Sequence, residues 1–232
     1  MSIISHKNKI IFAKTSKSAS ASFQIALSQF CGPDDIVTKL YPDELEEKYY
    51  DVKGLNKEIR LKYAQKTLHD APSILHFLNN YSGDQNVDNY FKIMIYRDPV
   101  EAFIRLYLFK YNKGSVNVDF SDWVLELKRK DQFQRLTTSN TQYTLGVDFD
   151  RVLNYNSLLE DIKNTPELPT GFLEVFKSLY KRNIEEPLDV DKFLHDNDCE
   201  YVKKEIYELC EFLWPNMTET HKLILDKLVE IG

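Results

Sequence analysis

Glycine, cysteine and long apolar runs are scarce in this sequence, and each scarcity argues against a class of protein. Only seven glycines occur in 232 residues, and none belongs to the GxxxxGK[ST] pattern of an ordinary ATP- or GTP-binding loop. The three cysteines form no CxxC pair and have no histidine at metal-ligand spacing, which predicts reduced thiols and no zinc site. No apolar run approaches the roughly 18 residues of a membrane span, so no membrane partner is expected.

Charge and the N-terminal residues narrow the possibilities further. The formal net charge is −6, which disfavours a general nucleic-acid-binding protein. Residues 1–20 nevertheless contain four lysines and no acidic residue, a local charge that suits a phosphate or sulfate group. Polar residues at positions 5–9 interrupt any signal-peptide apolar region, so we expect a cytoplasmic protein.

Short apolar runs alternate with amphipathic segments along the chain. The runs at residues 9–13, 91–96 and near 151–155 are typical of buried strands, and a helical apolar pattern follows each of them. Such alternation predicts one α/β domain over residues 1–232, with a mostly parallel central sheet flanked by helices.

The sequence also predicts where several helices begin and end. Asp98, Pro99 and Glu101 have the form of an N-cap, a proline at the first helical position and a capping-box acid. The helix that they open should continue to about Asn112. Further helices are predicted to open at Pro72, to follow Ser121 and Asn156 as N-cap residues, and to carry the apolar face formed by Val202, Ile206 and Leu209.

The first strand-to-helix turn, residues 14–22, has a composition suited to binding an anion. Its small residues allow the backbone to approach a ligand closely, and Lys17 supplies a positive charge. The small residues that could provide hydroxyl or backbone donors are Ser18, Ala19, Ser20, Ala21 and Ser22. A serine-rich turn that only caps the following helix is the alternative interpretation.

The second strand-to-helix turn carries arginine. Arg97 stands where the strand becomes a helix, so its guanidinium could bind a phosphate through two parallel hydrogen bonds. Arg105 lies two helical turns further along. A structural ion pair of Arg97 with Asp98 or Glu101 is the alternative interpretation.

Together the two turns resemble the PAPS-dependent sulfotransferase superfamily, specifically its polysaccharide-type branch. Residues 16–22 (SKSASAS) are similar to the family's PKTGGTS loop, and residues 96–107 (YRDPVEAFIRLY) to its VRDPYERLVSAY segment. Residues 68–74, with Tyr90-Phe91-Lys92-Ile93, Gln142-Tyr143 and residues 152–162, are similar to further family segments in the same order. The resemblance implies a three-layer P-loop-like fold.

The resemblance also implies an activity and a set of roles. The protein would transfer the sulfuryl group of 3′-phosphoadenosine 5′-phosphosulfate (PAPS) to a hydroxyl acceptor, with a carbohydrate implied by the branch and no metal required. The first loop would hold the 5′-phosphosulfate, and Lys17 would neutralise the leaving phosphate. Arg97 would bind the 3′-phosphate, and His69 would be the general base.

The chain departs from the family pattern beside the second turn. Ala102 and Arg105 occupy the places of a family arginine and serine, and we expect Arg105 to take over the contact with the 3′-phosphate. Ala21 also replaces a threonine of the family.

Two alternative functions remain: a P-loop kinase with Asp98 as a metal-binding acid, and a non-catalytic nucleotide-binding protein on the same fold. A magnesium requirement would identify the kinase. The oligomeric state is not predicted.

Overall fold

The computed structural model describes residues 2–37, 87–137, 147–180 and 188–213. The chain divides into two compact units, one formed by residues 1–96 and 147–181 and the other by residues 97–146 and 182–232. The single-domain organisation stays a prediction. The strands are β1 (Ser2–Ser5), β2 (Ile10–Ala13), β3 (Ile36–Val37), β4 (Phe91–Tyr96) and β5 (Arg151–Asn154). The helices are α1 (Ser20–Ser28), α2 (Pro99–Asn112), α3 (Phe120–Arg129), α4 (Phe133–Thr137), α5 (Leu158–Lys163), α6 (Phe172–Leu179), α7 (Val190–Asp196) and α8 (Glu200–Leu213).

The five strands form one sheet in the order β3-β1-β2-β4-β5. The pairs β2–β4 and β4–β5 are parallel, whereas β1 is antiparallel to both β2 and β3. The sheet is therefore mixed, and the prediction of a mostly parallel sheet is wrong. The cause is the turn at residues 6–9, in which Lys9 has a φ of 54°. This turn reverses the chain and returns it beside β1.

Strand β2 shows why the first unit has apolar contacts on both sides of its sheet. Ile10 and Phe12 belong to one apolar cluster, whereas Ile11 and Ala13 belong to another, as the two-residue period of a strand requires. The first cluster includes residues of α1, α5 and α6. Within it the ring of Phe23 lies 4.4 Å from that of Phe12. The apolar face predicted for the first helix is thus confirmed, and α1 is fixed against the sheet.

In the second unit, α2 has the predicted bounds and cap. Asp98 Oδ1 accepts a hydrogen bond from Glu101 N at 2.9 Å, and the helix runs from Pro99 to Asn112. Phe103 packs the helix into an aromatic cluster, with its ring stacked 4.9 Å from that of Trp123.

Two predicted helix starts are wrong by one or two residues. Helix α3 begins at Phe120, a residue that is 0% exposed, with Asp119 at its N-cap and not Ser121. Helix α5 has Ser157, not Asn156, at its N-cap; the Asn156 N–H bonds instead to the Asn154 side chain at 2.9 Å. The helix predicted at Pro72 lies outside the described residues. Among the described helices, none combines the length and the apolar character needed to cross a bilayer.

Candidate functional site

The site begins with the direction of three strands in the first unit. Because β2, β4 and β5 run parallel, their carboxyl ends lie at the same edge of the sheet. The loop of residues 14–19 leaves β2 at this edge and enters α1 at Ser20. Ligands of α/β sheets bind at such edges, where helix N-termini face the carboxyl ends of strands.

Thr15 braces this loop against the sheet. Its side chain is almost fully buried, and Oγ1 donates to the Ile95 carbonyl of β4 at 2.6 Å. The same Oγ1 lies 2.6 Å from Ser18 Oγ, which is therefore the donor of that pair. Ser20 Oγ donates to the Thr15 carbonyl. The hydroxyls of Ser18 and Ser20 thus bind the loop itself and set its shape.

The loop adopts left-handed backbone conformations without any glycine. Lys17 has a φ of 57° and Ala19 a φ of 60°. Ala19 is the N-cap residue of α1, where no side-chain cap bond forms and no acidic residue lies in the first turn. The first N–H groups of a helix have no intrahelical partner and carry partial positive charge. The start of α1 therefore has backbone donors that could face an anion.

In the second unit, the arginines of the second turn share one carboxylate. Arg97 Nη2 lies 2.5 Å from Glu101 Oε1, and Arg105 Nε lies 3.8 Å from the same oxygen. The three side chains are between 6% and 12% exposed. Their four-residue spacing on α2 places them on one helix face. Glu101 therefore holds two buried guanidinium groups in place. A guanidinium group has five N–H donors in all.

Asp98 has a structural role in the described contacts. Its Oδ1 caps α2, and its Oδ2 accepts a hydrogen bond from the Tyr207 hydroxyl at 2.8 Å. Burial raises the pKa of Asp98 above its ordinary value. These contacts do not suit the metal-binding acid of the kinase interpretation. Within the described residues, no three His, Cys, Asp or Glu side chains come together as a metal site would need.

The other residues named in the sequence analysis take no part in the contacts described above. His69, Gln142 and Tyr143 lie outside the described residues. Tyr107, the last residue of the family-like segment 96–107, is buried and donates its hydroxyl to the Val118 carbonyl at 3.0 Å. All three cysteines are free thiols, as predicted.

The ion pair of Arg97 with Glu101 was one of the interpretations open from the sequence, but the bracing role of Thr15 and the sharing of Glu101 with Arg105 were not predicted. The four-residue spacing of Arg97, Glu101 and Arg105 was a readable signal for the second role. No sequence signal revealed the first, because Thr15 bonds to a strand 80 positions away.

Replacing Thr15 by valine should test the brace. The substitution keeps the shape but leaves the buried Ile95 carbonyl without this donor, so we expect the free energy of unfolding to fall by about 1–3 kcal/mol. Urea denaturation would measure it. Thr170→Val, at an exposed position of the same unit, is the control. A Thr15→Val protein as stable as the wild type would show that the bond does not hold the loop.

Comparison with known proteins identifies the family of this chain. The model of the Sulfotransferase family matches residues 1–208, a range that contains both turns. No curated protein matches this chain, and no solved structure does. The family match covers most of the sequence and includes every element of the candidate site. The chain belongs to the Sulfotransferase family and is a PAPS-dependent sulfotransferase.

Proposed function

We propose that this enzyme transfers the sulfuryl group of PAPS to a carbohydrate hydroxyl and that the loop of residues 14–22 binds the 5′-phosphosulfate. One observation carries the proposal. The loop that contains Lys17 has left-handed residues and leads directly into α1, a helix that has no side-chain cap. Backbone N–H groups, a lysine and a helix N-terminus together match a small, highly charged anion. The phosphosulfate of PAPS is such an anion.

In this proposal the loop side chains have two kinds of role. Backbone N–H groups of residues 18–22 would bind the donor, and Ser22, which is half-exposed, would add its hydroxyl. The hydroxyls of Ser18 and Ser20 act indirectly, because they hold the loop in shape. Ala19 and Ala21 leave room for the backbone to approach.

Lys17 is the proposed catalytic cation. PAPS supplies the sulfuryl group, and adenosine 3′,5′-bisphosphate is the product that leaves. As the bond between sulfur and the bridging oxygen breaks, negative charge develops on the phosphate side, and the Lys17 ammonium would stabilise it. The acceptor oxygen forms the new bond to sulfur and loses its proton. His69 is the proposed base that accepts this proton.

Arg97 and Arg105 are proposed to bind the 3′-phosphate, an assignment that rests on the order of the family's motifs along the chain. Their shared contact with Glu101 supports it, because both guanidinium groups are held on one helix face. Arg105 would then replace the family residues that are missing at positions 102 and 105. The carbohydrate acceptor rests on the resemblance to the polysaccharide-type branch.

Ligand-induced stabilisation tests the donor assignment. The purified protein is heated with adenosine 3′,5′-bisphosphate, AMP or ATP, each with and without magnesium. We expect the bisphosphate to stabilise best and without magnesium, by about 2.7 kcal/mol at 100 times its Kd. Stronger stabilisation by ATP with magnesium would favour the kinase. Turnover of PAPS with oligosaccharide or phenol acceptors would then test the acceptor class.

A further inference from the structure

Lys14 is a second lysine at the carboxyl end of β2, and none of the roles above uses it. It directly follows Ala13, the last residue of the strand. The residue is half-buried. No hydrogen bond or ion pair joins its ammonium group to any residue that the structure describes.

The backbone around Lys14 is fixed on both sides. Ala13 pairs with Met94 in the parallel ladder and with Ser2 in the antiparallel one. Thr15 is bound through its hydroxyl to the Ile95 carbonyl. Lys14 is therefore held where the strand becomes the anion-binding loop, three positions before Lys17.

The environment of Lys14 makes its positive charge costly in the absence of a ligand. Burial lowers the pKa of its ammonium group to about 8. No charged group among the described residues acts on it. Lysines at a protein surface normally extend the charged end into water, and buried charges are normally paired. Lys14 is half-buried and has no charged partner among the described residues, so an anion at this site would be a favourable partner.

We propose that Lys14 is a second donor-binding lysine, whose ammonium group binds the 5′-phosphosulfate of PAPS alongside Lys17. The inference rests on the function proposed for the loop of residues 14–22. It assigns Lys14 to the 5′ side of the nucleotide, since the same loop carries both lysines. Arg97 and Arg105 remain assigned to the 3′ side.

If Lys14 binds the ligand as an ammonium group, a neutral Lys14 must take up a proton when the ligand binds. Above the pKa of about 8, the free protein carries neutral Lys14, and binding must return the proton. By linkage, affinity then falls by about tenfold for each pH unit above that pKa. The phosphates do not cause this dependence, because their second pKa lies at about 6.

Lys14→Met and Lys14→Arg test the role. Titration calorimetry would measure the Kd of adenosine 3′,5′-bisphosphate and of AMP at about pH 7 and about pH 9.5. We expect Lys14→Met to weaken both ligands by about tenfold or more at the lower pH, because a charged hydrogen bond to the shared 5′-phosphate is lost. Lys14→Arg should bind equally well at both pH values, since arginine stays charged.

The unfolding temperature separates binding from a structural role. Lys14→Met removes a buried charge without a described partner, so its unfolding temperature should equal or exceed that of the wild type. A joint fall of stability and affinity would overturn the proposal, as would wild-type affinity in Lys14→Met. In both cases selective binding of the bisphosphate by the wild type would leave the proposed function intact. If the wild type itself fails to bind the bisphosphate, the proposed function fails as well.

Discussion

Lys17→Met is expected to lower the rate of sulfuryl transfer from PAPS by about 10²- to 10³-fold, the usual effect of removing one group that stabilises transition-state charge. The ammonium would act on charge that develops only as the sulfur–oxygen bond breaks, so kcat should fall far more than the affinity for adenosine 3′,5′-bisphosphate. Backbone donors at the start of α1 would still hold the nucleotide. Release of the bisphosphate from PAPS, measured with saturating acceptor, would provide the rate.

Lys9→Met is the matched control for this substitution. Lys9 also has a positive φ, at 54°, so both variants place methionine in the same unusual backbone conformation. It is exposed and precedes β2, at the end opposite the loop. The sulfotransferase activity of Lys9→Met should equal that of the wild type. Equal losses in the two variants would attribute the effect to backbone strain and remove Lys17 from the catalytic role.

Arg97→Ala is expected to reduce sharply the preference for adenosine 3′,5′-bisphosphate over AMP, although Arg105 remains. The substitution would remove charge-assisted hydrogen bonds worth about 1.5–3 kcal/mol, so affinity for the bisphosphate should fall by about 10- to 100-fold. AMP lacks the 3′-phosphate, so its affinity should not change. The ratio of the two Kd values, measured by calorimetry on one protein preparation, is the quantity to follow.

Two further variants distinguish a loss of nucleotide binding from a loss of folding. Arg97→Ala breaks a buried ion pair with Glu101, a change that typically costs about 3–5 kcal/mol. Arg97→Lys retains the charge but not the planar fork, so it should retain more stability and still lose selectivity. Arg129→Ala, at an exposed position of the same unit, should change neither. Equal weakening of both nucleotides in Arg97→Lys would contradict the 3′-phosphate assignment.

Local signals allowed much of the fold to be predicted. The strands at 10–13, 91–96 and 151–154 are apolar runs with clear ends, and α2 carries its cap in its own sequence. β1 escaped prediction because its two isoleucines are flanked by serines, too short a run to identify. Their pairing with Ile11 and Phe12 depends on the turn at residues 6–9. That antiparallel pairing also made the sheet mixed.

The sequence by itself determined the chemistry at the site: a lysine in a loop of small residues, an arginine at the end of a strand, and the order of motifs that the family shares. These are properties of residue type and spacing. Only the tertiary structure decided that the Ser18 and Ser20 hydroxyls bind the loop and that Lys14 is half-buried. The partner of both hydroxyls, Thr15, is local, but its position is fixed by a bond to Ile95 of β4, and the burial of Lys14 depends on the segments around it. Hydrogen bonding and desolvation act through space, so spacing along the chain does not encode them.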